Sequence, residues 1–113
     1  GYVMSVASSR RSRSLNEFLQ NMGIAEYFSF VLGADNVAKA KPDPEPVLQT
    51  LRTLGYRPDE TLVVGDMPVD IEMGKGAGAA TCAVTYGNAS RKELESAHPD
   101  YIIDSLPEIL KFV

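Results

Sequence analysis

The stretch VVGDMPVDIEMGKGAGA, residues 63–79, decides how the chain folds. It begins inside an apolar run that ends abruptly at Gly65-Asp66, and a run of this kind is typical of a strand covered on both faces. The segment 68–77 then fits a helix that ends at Gly78. A buried strand that passes directly into a helix predicts one unit of a parallel sheet wrapped by helices.

The same alternation of strands and helices runs through the rest of the chain. Short apolar runs are separated by segments with apolar residues at helical spacing, and no repeat, low-complexity tract or linker interrupts them. Strands are predicted at 2–7, 29–33, 61–65, 80–86 and 101–104, and helices at about 15–22, 47–54, 68–77, 90–97 and 106–113. Short connections between such elements predict one α/β domain, a three-layer sandwich with a parallel, Rossmann-like sheet.

Composition and charge narrow the classes of function. The chain has 113 residues, 44% hydrophobic and 23% charged, which is typical of one globular domain. A net charge of −4 argues against nucleic acid as a partner, and no apolar run approaches the roughly 20 residues of a membrane span. The cluster Arg10, Arg11 and Arg13 is typical of a solvated helix start, although one arginine could contact an anionic substrate. The opening residues do not resemble a signal peptide, and the lone Cys82 is expected to be a buried thiol in a reducing cytoplasm.

Serine residues follow the first predicted strand. In parallel α/β sheets ligands bind beyond the carboxyl ends of the strands, and Ser8 and Ser9 occupy such a position. A hydroxyl beside free backbone N–H groups at a helix start suits a phosphate oxygen. The alternative is that Ser8, Ser9, Ser12 or Ser14 only caps the next helix, a role that serine performs well.

Two lysines lie in the proline-rich loop AKAKPDPEP, residues 38–46. Lys41 precedes Pro42, which biases its backbone toward an extended conformation and so directs its side chain. An ammonium group in a mostly acidic protein can neutralise a phosphoryl group or hold a nearby carboxylate. Lys39 is less restrained, and the alternative for Lys41 is a solvated loop lysine.

Asp66 and Asp70 form the sharpest candidate site. Gly65 allows a tight turn after the strand, and a carboxylate at this position is poorly solvated unless a cation meets it. Asp70 lies about one helical turn onward, so both acids can face one site. Such hard oxygen ligands suit Mg²⁺, which takes one or two protein carboxylates and keeps several waters. The alternative is that Asp66 caps the helix and Asp70 lies on its exposed face.

Three segments, in order and over nearly the whole chain, resemble the haloacid dehalogenase superfamily of phosphohydrolases. VASSR resembles the second motif of that superfamily, AKPDPEP the third, and VVGDMPVDIEMGKGAGA the fourth. The nearest subgroup is similar to phosphoglycolate phosphatase and its pyrophosphatase relatives. The resemblance implies a haloacid dehalogenase-like sheet and a cytoplasmic hydrolase that acts on a small phosphorylated metabolite with Mg²⁺ as cofactor.

The resemblance also implies roles for individual residues. Ser8 would donate a hydrogen bond to the transferring phosphoryl group, with Ser9 and Arg10 beside it in substrate binding. Lys41 would neutralise the charge of that group and of the nucleophile. Asp66 would bind Mg²⁺, with Asp70 supporting it directly or through water.

The first motif of the superfamily, DxDx[TV], does not occur in these residues. In the family it supplies the nucleophilic Asp of an aspartyl-phosphate intermediate and a second Asp that acts as general acid and base. We therefore expect residues 1–113 to be a partial core domain without a cap domain, the C-terminal portion of a longer enzyme, and inactive alone. The strand of this motif is central in the family. Either a second chain or the missing N-terminal segment fills its place, or the two flanking strands pair directly; a wide, unfilled groove would contradict both.

Other functions remain open at this point. Within the superfamily a 2-haloacid dehalogenase needs no metal, so the two acids Asp66 and Asp70 favour a phosphatase over it. A hexose-phosphate mutase stays an alternative, because its specificity would depend largely on the missing cap. A receiver-like signalling domain would need an acidic cluster after its first strand, and residues 2–10 contain no acid. A non-catalytic module that binds a ligand or partner without turnover is the remaining alternative.

Overall fold

The computed structural model describes residues 2–111, in which strands and helices alternate as predicted. The strands are β1 (Ser5–Ala7), β2 (Phe30–Leu32), β3 (Leu62–Gly65), β4 (Ala80–Val84) and β5 (Tyr101–Ile103); the helices are α1 (Ser12–Asn21), α2 (Glu45–Leu54), α3 (Pro68–Gly76) and α4 (Arg91–Ser96). Short 3-10 helices lie at Ala25–Tyr27, Ala34–Asn36, Pro58–Glu60 and Leu106–Lys111. The last predicted helix is therefore a 3-10 helix over its described part, and residues 112–113 lie outside the described range.

The strands form two parallel sheets rather than one. β1 pairs with β2, and β3, β4 and β5 pair in that order. No ladder joins β1 to β3 within residues 2–111, so of the two alternatives the one in which these strands pair directly is wrong. The sheets are connected through helices instead, because α2 packs against β1, β2 and α3, and α3 packs against β3 and β4. Helix packing therefore holds the two sheets in one body without hydrogen bonds between them.

The contact between α2 and α3 is apolar. Val47 and Leu51 of α2 form one buried cluster with Met73 of α3 and Ala77 directly after α3. Gly76 contributes to the close approach, because a Cβ atom added there would lie 3.3 Å from the Cβ atom of Pro44 at the start of α2. This cluster joins the first half of the chain to the second.

Both faces of the larger sheet are covered around β4. Ala83 packs on one face with Ile71 of α3 and Leu94 of α4, whereas Cys82 and Val84 point to the other face. There they pack with Ile103 and with Ile109 of the terminal 3-10 helix. This part of the fold has the predicted three layers, and the prediction that Cys82 is buried is confirmed.

Strand β3 is less buried than the sequence predicted. The apolar run at 61–65 predicted a strand covered on both faces, but the Val64 side chain is 39% exposed. β3 has a paired neighbour on one side only, whereas β4 lies between two strands and buries four of its five residues. Hydrophobicity of the run therefore identified a strand, but not which strand is central. Within residues 2–111 no helix is long and apolar enough to cross a membrane.

Candidate functional site

Ser8 lies directly after the carboxyl end of β1 and contributes to a cavity of about 140 Å³. The Ser8 hydroxyl oxygen accepts a hydrogen bond from the backbone N–H of Arg10 at 3.1 Å, which leaves the hydroxyl proton available to a ligand. Ser9 and Lys41 also line the cavity, so three predicted site residues meet there. The remaining lining is mostly apolar and consists of Ala7, Leu32, Gly33, Ala34, Val37, Ala40 and Pro46.

The first turn of α1 is capped by a residue that the sequence analysis did not identify. The Asp35 carboxylate accepts hydrogen bonds from the backbone N–H of Ser12 at 2.6 Å and from its hydroxyl at 2.7 Å. These bonds, that from the Ser12 N–H above all, lower the pKa of Asp35. The capping alternative for Ser8 and Ser9 is therefore wrong, since neither side chain caps α1.

Arg10 is not brought to the cavity. Its guanidinium carbon lies 4.8 Å from the centre of the Phe18 ring, a cation–π contact on the surface of α1. Substrate binding by Arg10 stays a prediction that this geometry does not support. Arg13 pairs with Glu17 one turn onward, as expected for a solvated helix start.

Lys41 and Asp70 form an ion pair across the two halves of the chain. The Lys41 Nζ atom lies 2.6 Å from Oδ1 of Asp70, and the two side chains are only 19% and 9% exposed. The backbone N–H of Met67 donates to the other oxygen, Oδ2, at 3.2 Å, so both carboxylate oxygens of Asp70 have partners. Lys41 is thus not a solvated loop lysine, whereas the side chain of Lys39 is exposed. The alternative that Asp70 lies on an exposed helix face is wrong.

Asp66, directly after β3, has a half-buried carboxylate with no hydrogen-bond or ion-pair partner among residues 2–111. It does not cap α3, whose N-cap residue is Met67, so the capping alternative is wrong for this residue as well. Gly65 allows the backbone to approach the neighbouring acid, because a Cβ atom added there would lie 2.6 Å from Cγ of Asp70. The turn after β3 therefore holds two carboxylates in different states, one paired and one free.

The side chains in the turn after β3 can be compared with those that a metal ion requires. Within residues 2–111 no group of three or more His, Cys, Asp or Glu side chains could enclose an ion. Mg²⁺ does not need such a group, since it keeps several waters and uses one or two carboxylates. The partner-free oxygens of Asp66 fit this requirement, while Asp70 is already engaged by Lys41. These residues therefore suit a magnesium ion held through Asp66 and water.

Gly87 is a second residue that the sequence analysis missed. It lies in the turn after β4, and a Cβ atom added to it would lie 2.7 Å from Cγ of Asp66. A glycine after the carboxyl end of a strand is the only local signal for this contact. Gly87 lies 21 positions after Asp66, which hides the contact from any local pattern.

The sequence profile of the haloacid dehalogenase-like hydrolases matches residues 1–84. The chain belongs to the haloacid dehalogenase-like hydrolase family. Two relatives are a pyrophosphatase of Oceanobacillus iheyensis, 36% identical over 110 residues, and a phosphoglycolate phosphatase of Pectobacterium atrosepticum, 34% identical over 113 residues. The alignments cover 97% and 100% of this chain but 51% and 48% of those proteins.

Solved structures of the haloacid dehalogenase-like family have the same fold. A protein from Haemophilus somnus, described as a predicted phosphoglycolate phosphatase, superposes with a TM-score of 0.93 at 32% identity. The match covers 98% of this chain and 49% of that one. The chain thus spans about half the length of the relatives it matches, and its two sheets keep the mutual arrangement found in a longer protein. This confirms the predicted haloacid dehalogenase-like α/β fold without its usual central strand.

Proposed function

We propose that residues 1–113 form the phosphate-binding and metal-binding part of a Mg²⁺-dependent phosphohydrolase that acts on a small phosphorylated metabolite. The observation that carries the proposal is the half-buried, partner-free carboxylate of Asp66 beside the Lys41–Asp70 ion pair. Family membership supports a hydrolase, and relatives named as pyrophosphatase and phosphoglycolate phosphatase support phosphate esters or anhydrides as the substrate class.

Phosphoryl transfer depends mainly on positioning and on neutralising charge around the phosphorus atom. The Ser8 hydroxyl donates a hydrogen bond to a phosphoryl oxygen. The Lys41 ammonium adds positive charge beside the same cavity, and Asp70 holds that ammonium in place. Asp66 binds Mg²⁺, which when bound neutralises negative charge on the phosphoryl oxygens.

The proposed reaction uses a nucleophile from outside these residues. A carboxylate oxygen of an Asp attacks phosphorus, the leaving oxygen departs with a proton from a general acid, and water then hydrolyses the aspartyl phosphate to release phosphate. Among residues 2–111 the candidate site contains no carboxylate free for this role besides Asp66, which is assigned to the metal. Residues 1–113 alone are therefore proposed to be inactive.

The proposal includes a further strand between β1 and β3. Within residues 2–111 each of these strands has a paired neighbour on only one side, and the helices that pack on the two sheets, α2 and α3, contact each other. Unpaired backbone groups in the middle of a fold are costly, and one added parallel strand would satisfy both edges. Its carboxyl end would lie beside Ser8 and Asp66. A second chain or an N-terminal segment of the same protein would supply it, in a reducing cytoplasm that suits the buried thiol of Cys82.

The test uses the complete gene product that contains these residues. We expect Mg²⁺-dependent hydrolysis of an aryl phosphate, and a loss of about 100-fold in kcat/KM in Asp66→Ala, because charge-stabilising groups of this kind contribute about that much. Glu72→Ala, which removes an exposed acid from α3, is the matched control and should retain activity.

Equal activity of Asp66→Ala and the unmodified protein would overturn the metal assignment. Hydrolysis that is unaffected by removal of Mg²⁺ with EDTA would do the same. Binding of phosphate without any turnover would instead indicate the non-catalytic module.

A further inference from the structure

The turn between β4 and α4 places a glycine against Asp66. A Cβ atom added to Gly87 would lie 2.7 Å from Cγ of Asp66, and it would overlap the Cβ and Oδ2 atoms of the same residue. An overlap with the Cβ atom cannot be relieved by moving the tip of the side chain alone. Any side chain at this position therefore requires the backbone at Asp66 or in the turn to shift, because a change of rotamer moves Cγ and the carboxylate oxygens but leaves Cβ in place.

The turn is joined to the rest of the fold on both sides of Gly87. The Thr85 hydroxyl donates to Oδ1 of Asp104 at 2.7 Å, and Nη1 of Arg91 donates to the same oxygen at 3.1 Å. Between them Ala89 is buried in the cluster that includes Ile71. The turn that contains Gly87 is thus tied to Asp104 on both sides and to the core through Ala89.

Hydrogen bonds from residues 2–111 do not orient the Asp66 carboxylate, since it has no polar partner there. The absence of a side chain at Gly87 leaves the space that the present Asp66 side chain occupies. We propose that Gly87 is a positioning residue for Asp66 and that the missing side chain at 87 sets the direction in which the carboxylate meets a divalent cation. This inference rests on the proposed role of Asp66 in binding Mg²⁺.

Gly87→Ala tests the contact without placing an alanine at a positive φ, since Gly87 is not among the residues with positive φ in the described chain. Binding of Mn²⁺ alone, followed by electron paramagnetic resonance or calorimetry on the complete gene product, reports on the site independently of turnover. We expect the Kd for Mn²⁺ to rise about tenfold or more, the size found when the support of a metal ligand is lost. Asn88→Ala, an exposed change in the same turn, should leave the Kd unchanged.

Two further measurements separate positioning from a general structural defect. Excess Mg²⁺ should restore kcat in Gly87→Ala, which it would not do for a misfolded site. The stability cost of Gly87→Ala should also disappear in an Asp66→Gly background, because the overlapping atoms are then absent. This second measurement remains informative if Gly87→Ala alone folds poorly.

Three outcomes would overturn the inference. Binding of Mn²⁺ by the unmodified protein together with the same Kd in Gly87→Ala would remove the role of Gly87 and leave the proposed function standing. Additive stability effects of the changes at 66 and 87 would remove the contact itself. Failure of the unmodified protein to bind Mn²⁺ would overturn the proposed metal site and this inference with it.

Discussion

Lys41 and Asp70 come from different halves of the chain, and their ion pair is largely removed from water. Removing one partner of such a pair leaves a charge without compensation, which is costly even where the intact pair contributes little net stability. We expect Lys41→Met to lower the free energy of unfolding by about 2–4 kcal/mol, close to the range for breaking buried pairs. Urea unfolding of the complete gene product measures this loss of stability. Activity should fall as well, because the cavity loses its ammonium group.

The exposed pair of Arg13 and Glu17 provides the control for this change. Their side chains are 93% and 64% exposed, so Arg13→Met should cost less than about 1 kcal/mol. Equal losses in Lys41→Met and Arg13→Met would contradict the view that Lys41 belongs to a desolvated site.

Local patterns predicted some site residues and not others. Gly65, Asp66 and Asp70 are neighbours in the chain, so a strand that turns into a helix was enough to bring them together. Asp35 and Gly87 act on residues more than 20 positions away, Ser12 and Asp66 respectively. Their roles depend on where whole elements are placed, and no spacing rule contains that information.

Carboxylates that accept hydrogen bonds at the starts of helices and turns make the stability of these elements depend on pH. Hydrogen bonds from the backbone N–H groups of Ser12, Ser90 and Ser105 are the main causes that lower the pKa values of Asp35, Glu93 and Glu108, respectively. A lowered pKa in the folded state means that these bonds stabilise the protein above the unfolded pKa of about 4 and that their contribution is lost as the pH falls further.

The α1 cap offers a direct test of this effect. Asp35→Asn should lower the urea midpoint at pH 7, and its difference from the unmodified protein should shrink as the pH is lowered from 5 to 3. Ser12→Ala should cost less than Asp35→Asn at pH 7, since the backbone N–H of residue 12 can still donate to Asp35. A difference between Asp35→Asn and the unmodified protein that stays constant down to pH 3 would contradict the assignment.

At the scale of elements, the sequence predicted type and order better than burial. The stop signals Gly55 and Gly78 adopt positive φ angles just after α2 and α3, where glycine is favoured. The strand predicted to be covered on both faces, β3, is instead the edge of its sheet in these residues, and β4 is the buried one. A run of apolar residues has the same pattern in either position, because burial depends on neighbours that come from elsewhere in the chain.

At the scale of the whole fold, two sheets are joined through helices, and within residues 2–111 β1 and β3 each have one edge without a paired strand. If a further strand lies between them, their backbone N–H groups should exchange with solvent as slowly as those of β4 in the complete gene product. Hydrogen exchange measures this directly. The outer strands β2 and β5, each paired on one side only, provide internal references that should exchange faster.

Exchange of β1 and β3 as fast as that of β5 would contradict a filled position between the two sheets. Slow exchange that depends on protein concentration would indicate that a second chain supplies the strand. Slow exchange independent of concentration would indicate a segment of the same chain.

The amino-acid sequence by itself determined the alternation of elements, the family resemblance and the group of residues at the end of β3, because each depends on neighbours along the chain. Only the tertiary structure decided that Lys41 pairs with Asp70, that Asp66 keeps a free carboxylate beside Gly87, and that β1 and β3 do not pair. These outcomes depend on the packing of α2 against α3 and on the attachment of the turn after β4 to Asp104. Such contacts join distant parts of the chain, and they form and stabilise the protein only once the whole domain has folded.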